Sequence, residues 1–157
     1  MMPGFEGRVT GLQRSAGGVP KLPVERVMVR AGGMEGDRQA NRKYHGGPDR
    51  ALCLYSQERL DALAEVGHPA SRGMLGENVT IAGLPWDRVR PGARLRIGRL
   101  EMEVTSYAAP CRKIAYAFSD GDFSRVGEKA NTGWSRVYAR IVADGELAVG
   151  DPVTLLP

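Results

Sequence analysis

Residues 100–114, LEMEVTSYAAPCRKI, contain the most regular strand pattern in the chain and end beside its most distinctive cysteine. Leu100, Met102 and Val104 alternate with polar residues, which is typical of a β-strand with one buried face and one wet face. Pro110 has no N–H group and fixes its own φ, so we expect the strand to end before it. Because proline is tolerated in a first helical turn, the pattern predicts a short helix directly afterwards.

Cys111 follows this proline and is followed by two cations, Arg112 and Lys113. A helix N-terminus and neighbouring cations both favour a thiolate over a thiol. A thiolate can serve as a nucleophile, a sulfur carrier or a soft metal ligand. The alternative is that Cys111 is a small buried apolar residue, which is the common fate of a free cysteine. The local pattern leaves both interpretations open.

Short strands separated by Gly and Pro dominate the rest of the chain. The predicted strands cover residues 6–12, 24–29, 51–55, 100–105, 135–143, 146–149 and 150–156. A turn glycine followed by alternating apolar residues occurs at Gly92 and again at Gly150, as in strands that leave tight turns. We therefore predict a mainly β fold, a closed or nearly closed β-barrel with a few short peripheral α-helices.

The clearest helix signal follows Ser56, which is a good N-cap residue. Leu60 and Leu63 then mark one apolar face at helical spacing, and Gly67 ends the pattern. A second short helix is predicted over residues 123–130.

The length of 157 residues predicts one domain, residues 1–157, and 42% hydrophobic residues suffice for a core. The chain has no long apolar run and its N-terminus lacks the apolar stretch of a secretory signal. We therefore expect a cytoplasmic protein with no membrane partner. In a reducing compartment, both Cys53 and Cys111 are expected to be free thiols.

The net charge of +4 comes mostly from arginine, since only four lysines occur. This excess fits recognition of phosphate or carboxylate groups, and it equally fits a GC-rich genome. It also raises an alternative function, a non-catalytic basic β-barrel that binds RNA or a protein partner. Aromatic residues make up only 6% of the chain and offer little surface for base stacking, so we do not expect a nucleic-acid partner.

Two further segments could bind a ligand. In YHGGPDR, residues 44–50, adjacent glycines let a backbone approach a ligand closely, and the flanking cations could meet an anionic group. In GENVT, residues 76–80, Asn78 and Thr80 offer uncharged hydrogen-bonding groups. The alternatives are a plain Gly-Gly-Pro turn and an ordinary strand start. The chain contains no GxGxxG, P-loop, HExxH or Cys-x-x-Cys motif, and its two histidines make a histidine-rich zinc site improbable.

In combination, these segments resemble the MOSC domain, named for the C-terminal part of eukaryotic molybdenum-cofactor sulfurase. The matching stretches are GDRQANRKYHGGPDRALCLYS at 36–56, GENVTIAGL at 76–84 and the Pro110-Cys111 pair. The late stretch GWSRVYARIVADG, residues 133–145, is similar to the small stand-alone bacterial members.

The resemblance implies a mostly β barrel that binds a molybdenum–molybdopterin cofactor, with Cys111 as the hallmark cysteine. In the sulfurases that cysteine is thought to carry sulfur as a persulfide; in the related amidoxime-reducing enzymes it binds molybdenum. Cys111 is therefore the expected catalytic residue and metal ligand, and the choice between ligand and carrier stays open. The expected cofactor-binding residues are His45, Gly46, Gly47, Arg50, Asn78, Thr80, Arg112 and Lys113.

The chain lacks several parts of its larger relatives. It has no aminotransferase-like domain, so pyridoxal phosphate is not expected from this chain alone. It has no ferredoxin-like or flavin domain, so a sulfur donor or electron-transfer protein would be its partner. Reduction of N-hydroxylated substrates is the reaction expected by analogy with the relatives.

Overall fold

Strands account for most of the regular structure in the computed structural model, which describes residues 4–37 and 47–157. The strands are β1 (Phe5–Arg14), β2 (Leu22–Val24), β3 (Arg26–Arg30), β4 (Gly33–Met34), β5 (Leu52–Ser56), β6 (Val79–Ala82), β7 (Arg94–Ile97), β8 (Leu100–Tyr107), β9 (Val137–Ala143), β10 (Gly145–Ala148) and β11 (Pro152–Leu155). The α-helix α1 is Gln57–Glu65, and 3-10 helices cover Pro48–Arg50, Trp86–Arg88, Arg112–Ala117 and Phe123–Val126.

Seven of these strands form a closed barrel in the order β11-β7-β8-β9-β5-β6-β1. The barrel closes because the first half of β1 pairs antiparallel with β11, with Phe5 opposite Leu155. The second half of β1 pairs with β2, which extends the same sheet. Only β5 and β6 run parallel among the paired barrel strands, and α1 makes the crossover between them. The strands β10, β3 and β4 form a second, three-stranded sheet.

Strand β8 has the alternation that its sequence predicts. Leu100, Met102 and Val104 are buried in the core, whereas Glu101 and Glu103 are partly exposed. Successive side chains of a strand point to opposite faces, so one face of β8 lines the barrel interior. The predicted mainly β barrel is confirmed.

Helix α1 begins where its sequence predicts. The Ser56 hydroxyl accepts a hydrogen bond from the Arg59 N–H at 3.2 Å, and Leu60 and Leu63 are buried. Gly67 follows the helix with φ of +94°, a conformation that a residue with a Cβ rarely adopts. No helix within the described residues is both long enough and apolar enough to span a membrane.

Three sequence expectations need adjustment. The run 24–29 is not one strand: β2 ends at Val24 and β3 begins at Arg26, and the two strands belong to different sheets. The short segment after Cys111 is a 3-10 helix, so α1 is the only α-helix among the described residues. The helix expected over residues 123–130 is likewise a 3-10 helix that ends at Val126. Such short segments lack the length at which an α-helix becomes favourable.

Candidate functional site

Cys111 lies beyond the end of β8, where a hydrogen bond and a proline contact restrain the backbone. It is the N-cap of the 3-10 helix Arg112–Ala117, and its carbonyl oxygen accepts a hydrogen bond from the Ile114 N–H at 3.1 Å. The preceding Pro110 packs on Gly127, where an added Cβ would lie 3.0 Å from the proline Cγ. The thiol is free and the residue is partly exposed, so a ligand can reach the sulfur.

Tyr138 of β9 contacts Arg50. The Arg50 guanidinium carbon lies 5.3 Å from the centre of the Tyr138 ring. Burial, the largest cause, together with the charges of Cys53 and Cys111 raises the pKa of Tyr138 to about 12, against the opposing charges of Arg136 and Arg50. The structure therefore places Arg50 against the Tyr138 ring, and the charge of Cys111 also acts on this tyrosine.

Cys53 belongs to the interior, as its apolar strand predicts. It is buried on β5 in contact with Ala108 and Tyr138. Burial raises the pKa of its thiol to about 11, which keeps it protonated near neutral pH. The two cysteines therefore have different environments, and Cys111 is the accessible one.

The side chains of Asn78 and Thr80 are buried and bonded within the barrel. The Asn78 Oδ1 accepts from the Cys53 N–H at 3.0 Å, and its Nδ2 donates to the Gln13 carbonyl at 3.3 Å. The Thr80 hydroxyl accepts from the Gln13 amide at 3.2 Å. These bonds join β1, β5 and β6. A direct role of either side chain in binding a cofactor stays a prediction.

The remaining sequence-predicted site residues lie at the surface or outside the described residues. Gly47 has φ of +93° and leads into the 3-10 helix Pro48–Arg50. Arg112 and Lys113 are exposed, and neither forms an ion pair within the described part of the chain. His45 and Gly46 fall outside the described residues.

Four charged residues whose side chains are buried had no sequence signal. Lys21 and Asp37 form an ion pair with an N–O distance of 2.7 Å. Glu77 accepts a hydrogen bond from the Gly73 N–H at 3.0 Å, and burial raises the pKa of its carboxyl to about 7. Arg136 is only 6% exposed although it is one of many arginines in the sequence. Only the long-range packing of the chain distinguishes these residues from surface charges.

The candidate site offers a metal one soft donor from the described residues, the Cys111 sulfur. Among residues 4–37 and 47–157 there is no cluster of three or more histidine, cysteine or acidic side chains that could hold a metal ion. A metal at Cys111 would therefore take one sulfur ligand from the described protein and further ligands from another source.

Comparison with known proteins identifies relatives of this fold. The chain is 34% identical to YflK of Bacillus subtilis over 141 residues, and 32% identical to YiiM of Escherichia coli over 143 residues. Each match covers 88% of this chain but 63% of the relative, so the chain spans less than two thirds of their length. The crystal structure of YiiM from Geobacillus stearothermophilus superposes with a TM-score of 0.70 and 27% identity, covering 96% of this chain and 73% of that one.

The family assignment follows from a direct match. The family model for the MOSC domain matches residues 41–154, which include β5 to β10, most of β11 and the Cys111 segment. This family is associated with binding of the molybdenum cofactor. With its closed β-barrel, its curated relatives and this match over most of its length, the chain belongs to the MOSC domain family.

Proposed function

We propose that this chain binds a molybdenum–molybdopterin cofactor and that Cys111 is the protein's ligand to the molybdenum. The observation that carries the proposal is the partly exposed thiol of Cys111, which follows β8 and stands next to two exposed cations, Arg112 and Lys113. A thiolate is a soft donor suited to a metal that already has sulfur ligands. Molybdopterin supplies two such sulfurs, and one cysteine would add a sulfur ligand from the protein.

The anionic part of the cofactor would be held by cations around the cysteine. Arg50 presents a planar guanidinium that can form two parallel hydrogen bonds to a phosphate. Arg112 and Lys113 are exposed next to Cys111 and add positive charge. Gly47, with its positive φ, offers backbone that can approach a phosphate without a side chain in the way.

A fixed backbone favours metal ligation over sulfur transport. A persulfide carrier must meet a donor and then an acceptor, which requires the sulfur to reach two partners. The carbonyl of Cys111 is bonded to Ile114, and Pro110 packs on Gly127. Such restraint suits a ligand that keeps one position. Sulfur transfer through a Cys111 persulfide is the competing outcome of the experiment below.

The reaction class we propose is reduction of N-hydroxylated bases or amidoximes. When bound, the cofactor supplies two-electron redox chemistry. Cleavage of the N–O bond with two electrons and two protons leaves an N–H group and releases water. The electrons would come from a separate electron-transfer protein. Arg50 and Lys113 would hold the anionic cofactor close to Cys111 during turnover.

Expression in a molybdate-fed host tests the proposal. Wild type, Cys111→Ser and Cys53→Ala proteins are assayed for molybdenum, pterin fluorescence and cyanide-labile sulfur. We expect metal in the wild type and in Cys53→Ala, and loss of metal in Cys111→Ser. Loss of labile sulfur with metal retained would identify a sulfur carrier instead. A wild-type protein without metal, pterin or labile sulfur, and without cofactor uptake in vitro, would refute both roles.

A further inference from the structure

Arg136 is a buried arginine whose guanidinium bridges two segments near the candidate site. Its Nη1 donates to the Leu75 carbonyl at 2.7 Å. Its Nη2 lies 3.5 Å from the Ala108 carbonyl and 3.4 Å from the Ala109 carbonyl. The guanidinium therefore connects the loop before Glu77 to the two residues that precede Pro110 and Cys111.

The backbone of Arg136 also bonds to the segment that precedes Cys111. The Arg136 carbonyl accepts a hydrogen bond from the Ala108 N–H at 2.9 Å. Both polar groups of Ala108 are thus bonded to Arg136, one through its backbone and one through its side chain. Ala108 itself is fully buried, which protects these bonds from competition with water.

A buried guanidinium is costly, and here its cost is not fully offset. Desolvation of a charge is unfavourable unless all its donors are bonded. The Arg136 Nε has no hydrogen-bond partner within the described residues, and neither has the Oε2 of Glu77. No acidic oxygen in that part of the chain lies within ion-pair distance of Arg136. A core selected for stability alone would favour an apolar residue at this position.

The carbonyls that Arg136 holds lie two and three residues before Cys111. Pro110 packs on Gly127, and the Cys111 carbonyl is bonded to Ile114. Each residue from Ala108 to Cys111 therefore has a restraint. Arg136 acts on Ala108 and Ala109, and the Ser135 hydroxyl also lies 3.3 Å from the Ala108 carbonyl. Lysine could not replace it fully, because one ammonium cannot reproduce the planar fork that reaches separate carbonyls.

We propose that Arg136 is a positioning residue for Cys111: by holding the carbonyls of Ala108 and Ala109, it fixes the backbone that presents the reactive thiol. This inference deepens the proposed function, since it rests on Cys111 being the reactive group. It does not depend on which metal or sulfur species that group binds.

Alkylation kinetics of the metal-free protein test this role. Iodoacetamide is added to wild type, Arg136→Lys, Arg136→Met and Arg140→Met, and peptide mass spectrometry follows Cys111 and Cys53 separately. Arg140 is the matched control, because it lies on the same strand and bonds at the surface to Glu103. Cys53 is buried against Ala108 and reports opening of that buried cluster, whereas urea unfolding of each protein reports its global stability.

We expect Cys111 to react about tenfold faster in Arg136→Met, because its segment opens locally more often. Arg136→Lys should restore part of the protection, and Arg140→Met should match the wild type. A Cys111 rate that is unchanged or slower in both Arg136 variants overturns the proposal. So does an equal rise at Cys111 in Arg140→Met once urea has lowered its unfolding free energy to that of Arg136→Met, which would show that Arg136 only maintains the fold. The assay contains no molybdenum, so failure of the proposed cofactor role would leave its result unaffected.

Discussion

The guanidinium of Arg50 lies over the ring of Tyr138, with 5.3 Å between the guanidinium carbon and the ring centre. Arg50 ends the 3-10 helix that follows Gly47, whereas Tyr138 lies on β9 in contact with Cys53. The contact orients an arginine whose charge is otherwise free to bind an anion, because no described acidic group forms an ion pair with it.

Replacement of Arg50 by methionine is expected to weaken binding of the anionic cofactor by about tenfold, through loss of a charge-assisted hydrogen bond to phosphate. The measurement is molybdenum and pterin content per protein after purification, followed by cofactor retention during dialysis. Arg26→Met is the matched control, because Arg26 is exposed and pairs with Glu146 on the three-stranded sheet. Equal cofactor retention in the two variants would exclude Arg50 from the site.

Glu77 is expected to make stability depend on pH. Burial raises the pKa of its carboxyl to about 7 in the folded protein, whereas an unfolded glutamate has an ordinary pKa of 4.5. Between these values the folded state binds more protons at Glu77 than the unfolded state. The stability that Glu77 contributes is therefore fully present below pH 4.5 and is lost as the pH rises through 7. The loss attributable to Glu77 is about 3 kcal/mol.

Urea unfolding of wild type and Glu77→Gln at several pH values from 4.5 to 8 measures this effect. Other titrating groups contribute equally to both proteins, so the difference in unfolding free energy isolates Glu77. Relative to the variant, the wild type should become less stable as pH rises to 7 and then level off. Parallel pH curves would contradict the assignment.

Asn78→Ala is expected to destabilise the barrel by about 2–4 kcal/mol, because it leaves the Cys53 N–H and the Gln13 carbonyl buried without their partner. Asn131→Ala serves as the control: that exposed side chain donates one bond to the Arg125 carbonyl, and its loss should cost under about 1 kcal/mol. Chemical denaturation compares the two. A similar small loss in both would mean that Asn78 does not hold β5 to β1.

Gly73→Ala is expected to be more damaging than Gly121→Ala, although both glycines have positive φ, of +87° and +72°. A Cβ at Gly73 would lie 2.1 Å from the Lys21 carbonyl oxygen, whereas a Cβ at Gly121 meets no atom within 4 Å. The left-handed conformation alone should cost about 1–2 kcal/mol at each position. Because this cost is common to both positions, the difference between the two losses of unfolding free energy measures the clash with the Lys21 carbonyl oxygen. Equal losses in the two variants would contradict that clash.

Several elements of the fold were predictable because their causes are local. The alternation of Leu100, Met102 and Val104 identifies a strand, since side chains of a strand alternate between faces. Ser56 identifies the start of α1, since its hydroxyl meets an N–H three residues later. Closure of the barrel is different, because it joins Phe5 to Leu155 across nearly the whole chain. The separation of β2 from β3 likewise depends on which partner strands are available.

The sequence by itself determined that Cys111 follows a strand and a proline, is accompanied by cations and occurs in the motif order of the MOSC domain. These features involve neighbouring residues, and their chemistry does not need a fold to be recognised. Only the tertiary structure decided that Arg136 and Glu77 are buried and that Arg50 meets Tyr138. Burial and contact are set by the packing of strands distant in sequence, and the identity of a charged residue carries no information about either.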